Sequence, residues 1–168
     1  MTKYYVTNGR QKIRHVGILE LGVFYTWLQR WFAFELSWKD TNEKHYREVI
    51  LPDGAKNIEM KWEIKKDVSS YFKYVVEVEF LLVAISDSEI QTEGKRRKVQ
   101  KGDFEIGITA YVETDPEKVG KKGSAFSKIF EGLLLRKRID QHKIQLFEKV
   151  TKLSDEVKEI FKQYEIEA

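Results

Sequence analysis

The sequence predicts an α+β fold, in which an antiparallel meander of roughly five to seven strands has one face covered by an N-terminal helix and a long C-terminal helix. Three observations predict it. Ile58, Met60, Trp62 and Ile64 alternate with Glu59, Lys61, Glu63 and Lys65. A strand turns successive side chains to opposite faces, so this segment has one buried face and one wet, charged face. The same alternation runs through Phe72, Tyr74, Val76, Val78, Phe80 and Leu82, and again through Phe104, Ile106, Ile108, Ala110 and Val112. Near the end, Leu146, Val150, Leu153, Val157, Ile160 and Tyr164 step by four and three instead, which lays an apolar stripe along a helix.

Each element follows in order. Residues 4–7 and 13–18 read as short strands around Asn8-Gly9, a pair that tolerates the positive φ of a tight hairpin. Over 20–36, Leu21, Phe24, Leu28, Trp31 and Phe34 fall near helical spacing, and Val23, Trp27 and Phe32 widen the stripe. This helix is expected to be buried over most of its circumference. A polar turn over 37–44 leads to a strand over 46–51, closed by Pro52-Asp53-Gly54. Strands are expected over 57–66 and 71–85, with Ser86-Asp87-Ser88 turning the chain. A short separate hairpin then has its tip at 92–95 and its return arm ending near Gln100, before a last strand over 104–113. Short connections make consecutive strands neighbours. Ser124 is a candidate N-cap for a helix beginning near Ala125.

Composition bounds the function classes. A chain of 168 residues that is 42% hydrophobic can bury one core, and no linker or repeat divides it, so 1–168 is expected to be a single domain. With 30 Lys and Arg against 27 Asp and Glu, the net charge of +3 does not by itself mark a nucleic-acid binder. There is no cysteine, which excludes disulfides and thiolate metal sites. Residues 1–12 lack the pattern of a signal peptide, and Glu20, Gln29, Arg30 and Glu35 interrupt the apolar stretch 16–38, which reads as a core helix and not a membrane span. A cytoplasmic location is expected. Two prolines, no cysteine and 34% charged residues lean towards a protein from a hot habitat.

No strong catalytic motif is present. His15, His45 and His142 are scattered without metal-ligand spacing, so neither metal nor cofactor is expected. Gly123-Ser124-Ala125 lacks the Gly-x-Ser-x-Gly elbow, and the Gly120 to Ser124 run lacks the Gly-Lys-Ser/Thr ending of a phosphate loop. Glu59, Glu63, Glu77, Glu79 and Glu105 on the wet face meet Lys61, Lys65 and Lys73, so cross-strand ion pairing accounts for them.

Two basic clusters remain. Lys95, Arg96, Arg97, Lys98 and Lys101 crowd the hairpin, where charge also guards a sheet edge against strand addition. From 116 to 138 there are seven basic residues, Lys121, Lys122, Arg136 and Arg138 among them, against two glutamates. Such a local excess attracts phosphate even when the global charge is small. The second cluster is interleaved with Phe126, Ile129, Phe130 and Leu133 to Leu135, as in basic helices that lie on anionic membranes.

In outline, the layout of strand, helix, meander and long C-terminal helix resembles the helix-grip fold of the START and polyketide-cyclase-like families. That resemblance implies a curved sheet wrapping the last helix around an apolar cavity, and no functional residue carries over from it. Those families usually place two helices after the first strand, where this chain has one. In texture, the Tyr71-Phe72-Lys73-Tyr74 strand and the hairpin ending in Gln100-Lys101-Gly102 are similar to small archaeal α+β proteins, a likeness that implies no activity.

Three functions are therefore carried forward. The first is a non-enzymatic module that engages nucleic acid or a phospholipid surface, with phosphate contacts from Lys95, Arg96, Arg97, Lys98, Lys121, Lys122, Arg136 and Arg138. The second is a helix-grip-like carrier or enzyme whose apolar cavity is lined by Trp27, Trp31, Trp62, Tyr74, Phe80 and Phe104. The third is a component of a protein assembly, bound through the second half of the C-terminal helix.

Overall fold

A computed structural model describes residues 2–37, 43–115 and 125–167. In chain order the elements are β1 (Thr2–Tyr5), β2 (Gln11–Leu19), α1 (Leu21–Leu36), β3 (Glu43–Ile50), β4 (Lys56–Asp67), β5 (Phe72–Thr92), β6 (Lys95–Thr114) and α2 (Ala125–Glu167). The six strands form one antiparallel sheet in the order β1-β6-β5-β4-β3, and β2 also pairs with β6. Both helices lie on the face that carries the apolar half of the alternation. No described helix is long and apolar enough to cross a membrane.

β6 organises the sheet. It is 20 residues long, and β1 and β2 lie end to end along one side of it, with Tyr4 opposite Val112 and Ile13 opposite Ile106. Asn8-Gly9 does turn the chain, with Gly9 at φ 71°, but it is not the tip of a hairpin. The corner instead holds on to β6: the Val6 N–H donates to the Ala110 carbonyl at 3.0 Å, and the Ala110 N–H donates to Thr7 Oγ1 at 3.2 Å. Pairing with a long central strand satisfies more backbone groups than two short strands pairing with each other.

The turn expected at Ser86-Asp87-Ser88 is also absent. Both strands run through that level to form one long hairpin, whose tip is Glu93-Gly94 with both residues at positive φ. The polar residues sit just beyond a bulge between Val83 and Ser86, where Ala84 takes φ 54° and its N–H donates to Asn57 Oδ1 at 2.8 Å. A bulge bends and twists a ladder without ending it. Gly102 faces the bulge, and a Cβ there would fall 2.5 Å from Ile85 Cδ1 and 2.9 Å from the Val83 carbonyl oxygen.

The core lies between the sheet and the two helices. From the sheet come Trp62, Ile64, Val78, Phe80, Phe104 and Ile108, all buried. Phe24, Leu28 and Phe32 come from α1, and Leu146, Leu153 and Val157 from α2. Each such side chain contributes about 1.5–3 kcal/mol on removal from water. Aromatic rings bridge the layers, with Tyr25 on Trp62 at 4.9 Å and Phe24 on Phe161 at 5.4 Å between centroids. Glu35 joins the end of α1 to Lys152 at 2.6 Å and Lys149 at 3.5 Å, and these ammonium groups hold its carboxyl below the usual range. Contrary to expectation, α1 is not buried around most of its circumference, because Val23 and Phe34 face solvent. The layer is one helix deep, so only one side of α1 finds cover.

On the outer face the expected ion-pair ladder is present. Lys61 meets Glu77 at 3.2 Å, and Arg10 reaches Glu79 at 2.8 Å and Glu105 at 3.2 Å across Gly107. β3, which pairs only with β4, differs from every other described strand in that all eight of its residues are exposed.

Candidate functional site

The first turn of α1 stands clear of the sheet where β3, β4 and β5 continue past it, and this opens a cleft of about 590 Å³. Its floor is the apolar face of the sheet, Ile58 and Met60 from β4 with Leu82 and Ile85 from β5. Leu21, Gly22 and Tyr25 of α1 form one wall, and Glu43 and Tyr46 of β3 form another. Lys56, Asp87 and Gln100 supply the rest of the polar rim. The alternation explains the floor, since 58 and 60 share the inward phase of β4 with Trp62 and Ile64. Trp62 and Ile64 are covered by helix side chains, whereas Ile58 lies beyond that cover and is only half-buried.

Hydrogen bonds fix the rim. Gln100 Oε1 accepts from the Leu21 N–H at 2.9 Å and so caps α1 from across the sheet, while Gln100 Nε2 donates to Asp87 Oδ1 at 3.2 Å. Glu20, which precedes the helix, makes no side-chain cap. Lys56 pairs with Glu48 at 2.9 Å, and Tyr46 donates to the same carboxylate at 2.6 Å, which holds the Glu48 carboxyl low and raises both Lys56 and Tyr46. Among the described residues the lining contains no histidine, serine or threonine. An apolar floor with a few placed polar groups suits reversible binding of a small molecule.

Among the described residues, the basic residues predicted from sequence do not converge. Lys95, Arg96 and Lys98 are exposed near the hairpin tip and make no ion pair among the described residues. Arg97 instead turns inward to pair with Glu20, which Tyr164 Oη also approaches at 3.5 Å. That contact locks the hairpin to the start of α1 and the end of α2. Arg136 and Arg138 are exposed near the other end of α2, with Arg138 close enough to His142 to help depress its pKa. His142 and Tyr164 are 22 residues apart on one helix, about 33 Å. Arg136 and Arg138 therefore share no surface with the hairpin cations. Lys121 and Lys122 lie outside the described residues, as does the candidate cap Ser124.

The six aromatics read as a cavity lining lie elsewhere. Trp31, Trp62, Phe80 and Phe104 are buried in the core, with Trp62 on Phe80 at 4.9 Å, and none of the six lines the cleft. Trp27 is half-buried and packs on Phe24 at 6.0 Å. Tyr74 reaches α2, where it donates to Gln145 Oε1 at 2.9 Å and lies 2.8 Å from His142 Nδ1, so the Nδ1–H tautomer of neutral His142 satisfies all three groups. Burial raises the Tyr74 pKa, and burial followed by the Arg138 charge lowers that of His142. His15 is buried between Phe104 and Phe161, its Nε2–H donating to the Ile18 carbonyl at 2.7 Å.

Sequence reasoning missed Gly22, Tyr46, Lys56 and Gln100. The signal was the continuation of the inward phase of β4 and β5 beyond the last residue that α1 is long enough to cover. No family model matches the chain, and no curated protein or solved structure is significantly similar to it.

Proposed function

We propose that this chain is a non-enzymatic binding protein that takes an amphipathic small molecule into the cleft beside α1. The observation that carries this reading is the cleft itself, about 590 Å³ with Ile58, Met60, Leu82 and Ile85 as its floor. That volume is within the range of small-molecule sites, and apolar contact supplies the affinity. An anionic head is assigned from the hairpin cations and not from the rim itself, where Glu43 and Asp87 stand beside Lys56. Arg96 and Lys98 share a strand face with Gln100, which lines the cleft, and successive residues on one face are about 6.7 Å apart. Lys98 is thus one step and Arg96 two steps, about 13 Å, beyond Gln100, so a carboxylate or phosphate reaching past the rim meets them while the apolar body stays on the floor. This keeps the carrier class implied by the helix-grip resemblance but moves its site from the aromatic core to the open margin of the sheet.

Gly22 provides the test. A Cβ at this position meets nothing within 4 Å and the residue lines the cleft, so the Gly22→Phe side chain starts in open space and is expected to fill it. Titration with a medium-chain fatty acid, followed by isothermal titration calorimetry, is expected to saturate in the wild type and to be lost in Gly22→Phe. Arg96→Glu with Lys98→Glu is expected to weaken the fatty acid but not the matching alcohol. Equal binding by the plugged variant rules the cleft out.

A second reading rests on the three exposed hairpin cations alone, which suit nucleic acid or phospholipid phosphate. It predicts salt-sensitive binding of an oligonucleotide or anionic vesicle that Gly22→Phe leaves untouched.

A further inference from the structure

α2 carries two apolar stripes. The first, Ile139, Leu146, Val150, Leu153, Val157 and Phe161, is buried against the sheet and α1. The second is exposed: Ile129 at 66%, Leu133 at 59%, Ile144 at 59% and Phe147 at 49%. At 3.6 residues per turn these four fall within about 60° of one another, centred roughly a third of a turn from the buried stripe. One-sided packing on the sheet accounts for the first stripe and not for the second.

We infer that the second stripe is a docking surface for a second copy of this chain, with the two α2 helices antiparallel. The stripe is self-complementary about a point between Arg138 and Ile139. An antiparallel copy about that centre sets Leu133 against Ile144 of the second copy and Ile129 beside its Phe147, and twofold symmetry repeats both contacts. Charge matches in the same register. Asp140 lies within the stripe, exposed and without an ion pair among the described residues, and it falls opposite Lys137 and next to Arg136 of the second copy, which are likewise exposed and free of ion pairs. Shape agrees as well. Ile144 and Phe147 form a shallow groove of about 250 Å³ with Tyr5, Val6 and Lys143, and Tyr5 is half-exposed there. Ile129 and Leu133 lie N-terminal to the groove residues on the same face of α2, so the antiparallel copy brings them to a neighbour's groove. A parallel arrangement would put Asp140 against Asp140. This surface is separate from the cleft, and it spans Ile129 to Phe147 of α2.

Sedimentation equilibrium of the full chain across micromolar to millimolar concentration tests the inference. The wild type is expected to dimerise. Asp140→Lys is expected to weaken the dimer at least about tenfold, because it faces like charge, and combining it with Lys137→Asp is expected to recover most of that loss. Leu133→Lys is expected to abolish the dimer while leaving the far-ultraviolet circular dichroism unchanged, since Leu133 is exposed. A wild type that stays monomeric throughout overturns the proposal, whether or not it sediments with anionic vesicles. So does a dimer that survives both Leu133→Lys and Asp140→Lys, which would place the contact at another surface such as the open edge of β3.

Discussion

β6 and β3 belong to the same sheet, yet their environments are opposite. Phe104, Ile106 and Ile108 of β6 are almost completely shielded, with strands on both sides and helices above. Tyr46 and Ile50 of β3 are 51% and 68% exposed, in a strand paired on one side only. The difference teaches that alternation decides which face a side chain takes, while cover decides whether that face is buried. Two helices are enough to cover β4, β5 and β6, and they leave the β3 margin open as a cleft.

The largest effect that sharpens this contrast is a pair of truncations on the same face. Trp62→Ala is expected to cost about 3–5 kcal/mol, because it leaves a large cavity among rings that cannot collapse into it. Tyr46→Ala, on the open margin, is expected to cost less than about 1 kcal/mol. Urea denaturation measures both, and comparable losses would mean that β3 is as much a part of the folded core as β4.

A second pair compares the two sides of the cleft end. Gly102→Val pushes a side chain into Ile85 and the Val83 carbonyl, where the bulge leaves no room, and is expected to cost about 1–3 kcal/mol. Gly22→Ala points into open space on a helix and is expected to add up to about 1 kcal/mol. A Gly22→Ala variant less stable than the wild type would show that the cleft is narrower than described.

The smallest effect is pH-dependent and belongs to the closed side. His142 titrates below its ordinary 6.5 in the folded chain, so above that value folded and unfolded states are both neutral and its contribution is fully present. As pH falls through 6.5 the unfolded chain takes up the proton first, and stability is lost until the folded His142 also protonates. Urea midpoints measured from pH 7.5 to 5 are expected to fall, and His142→Gln is expected to flatten that slope. An unchanged slope in the variant would assign the loss to other groups.

Much of the fold was legible in residues two and four apart. Ile58 to Ile64 and Phe104 to Val112 announced their strands, and Leu146 to Tyr164 announced the helix that covers them. The errors fell where a local signal had a distant partner. Ser86-Asp87-Ser88 looks like a turn, and it stays in the ladder because Asn57 and Gly102 accommodate a bulge just before it. Asn8-Gly9 looks like a hairpin tip, and both flanking strands pair with β6 instead. The site was less legible. Arg97 is indistinguishable by type from Arg96, yet it pairs with Glu20, 77 residues earlier in the chain.

The sequence by itself determined the faces of the sheet, the presence of both helices and the charge pairing on the outer surface. These rest on periods of two and 3.6 residues, which are local properties of the backbone. The tertiary structure alone decided that β1 and β2 share one side of β6, that the hairpin cations lie toward the opposite end of α2 from Arg136 and Arg138, and that a cleft opens beside Gly22. Those outcomes depend on where one layer of helix stops covering a wider sheet, a distance set jointly by segments far apart in the chain and encoded in none of them singly.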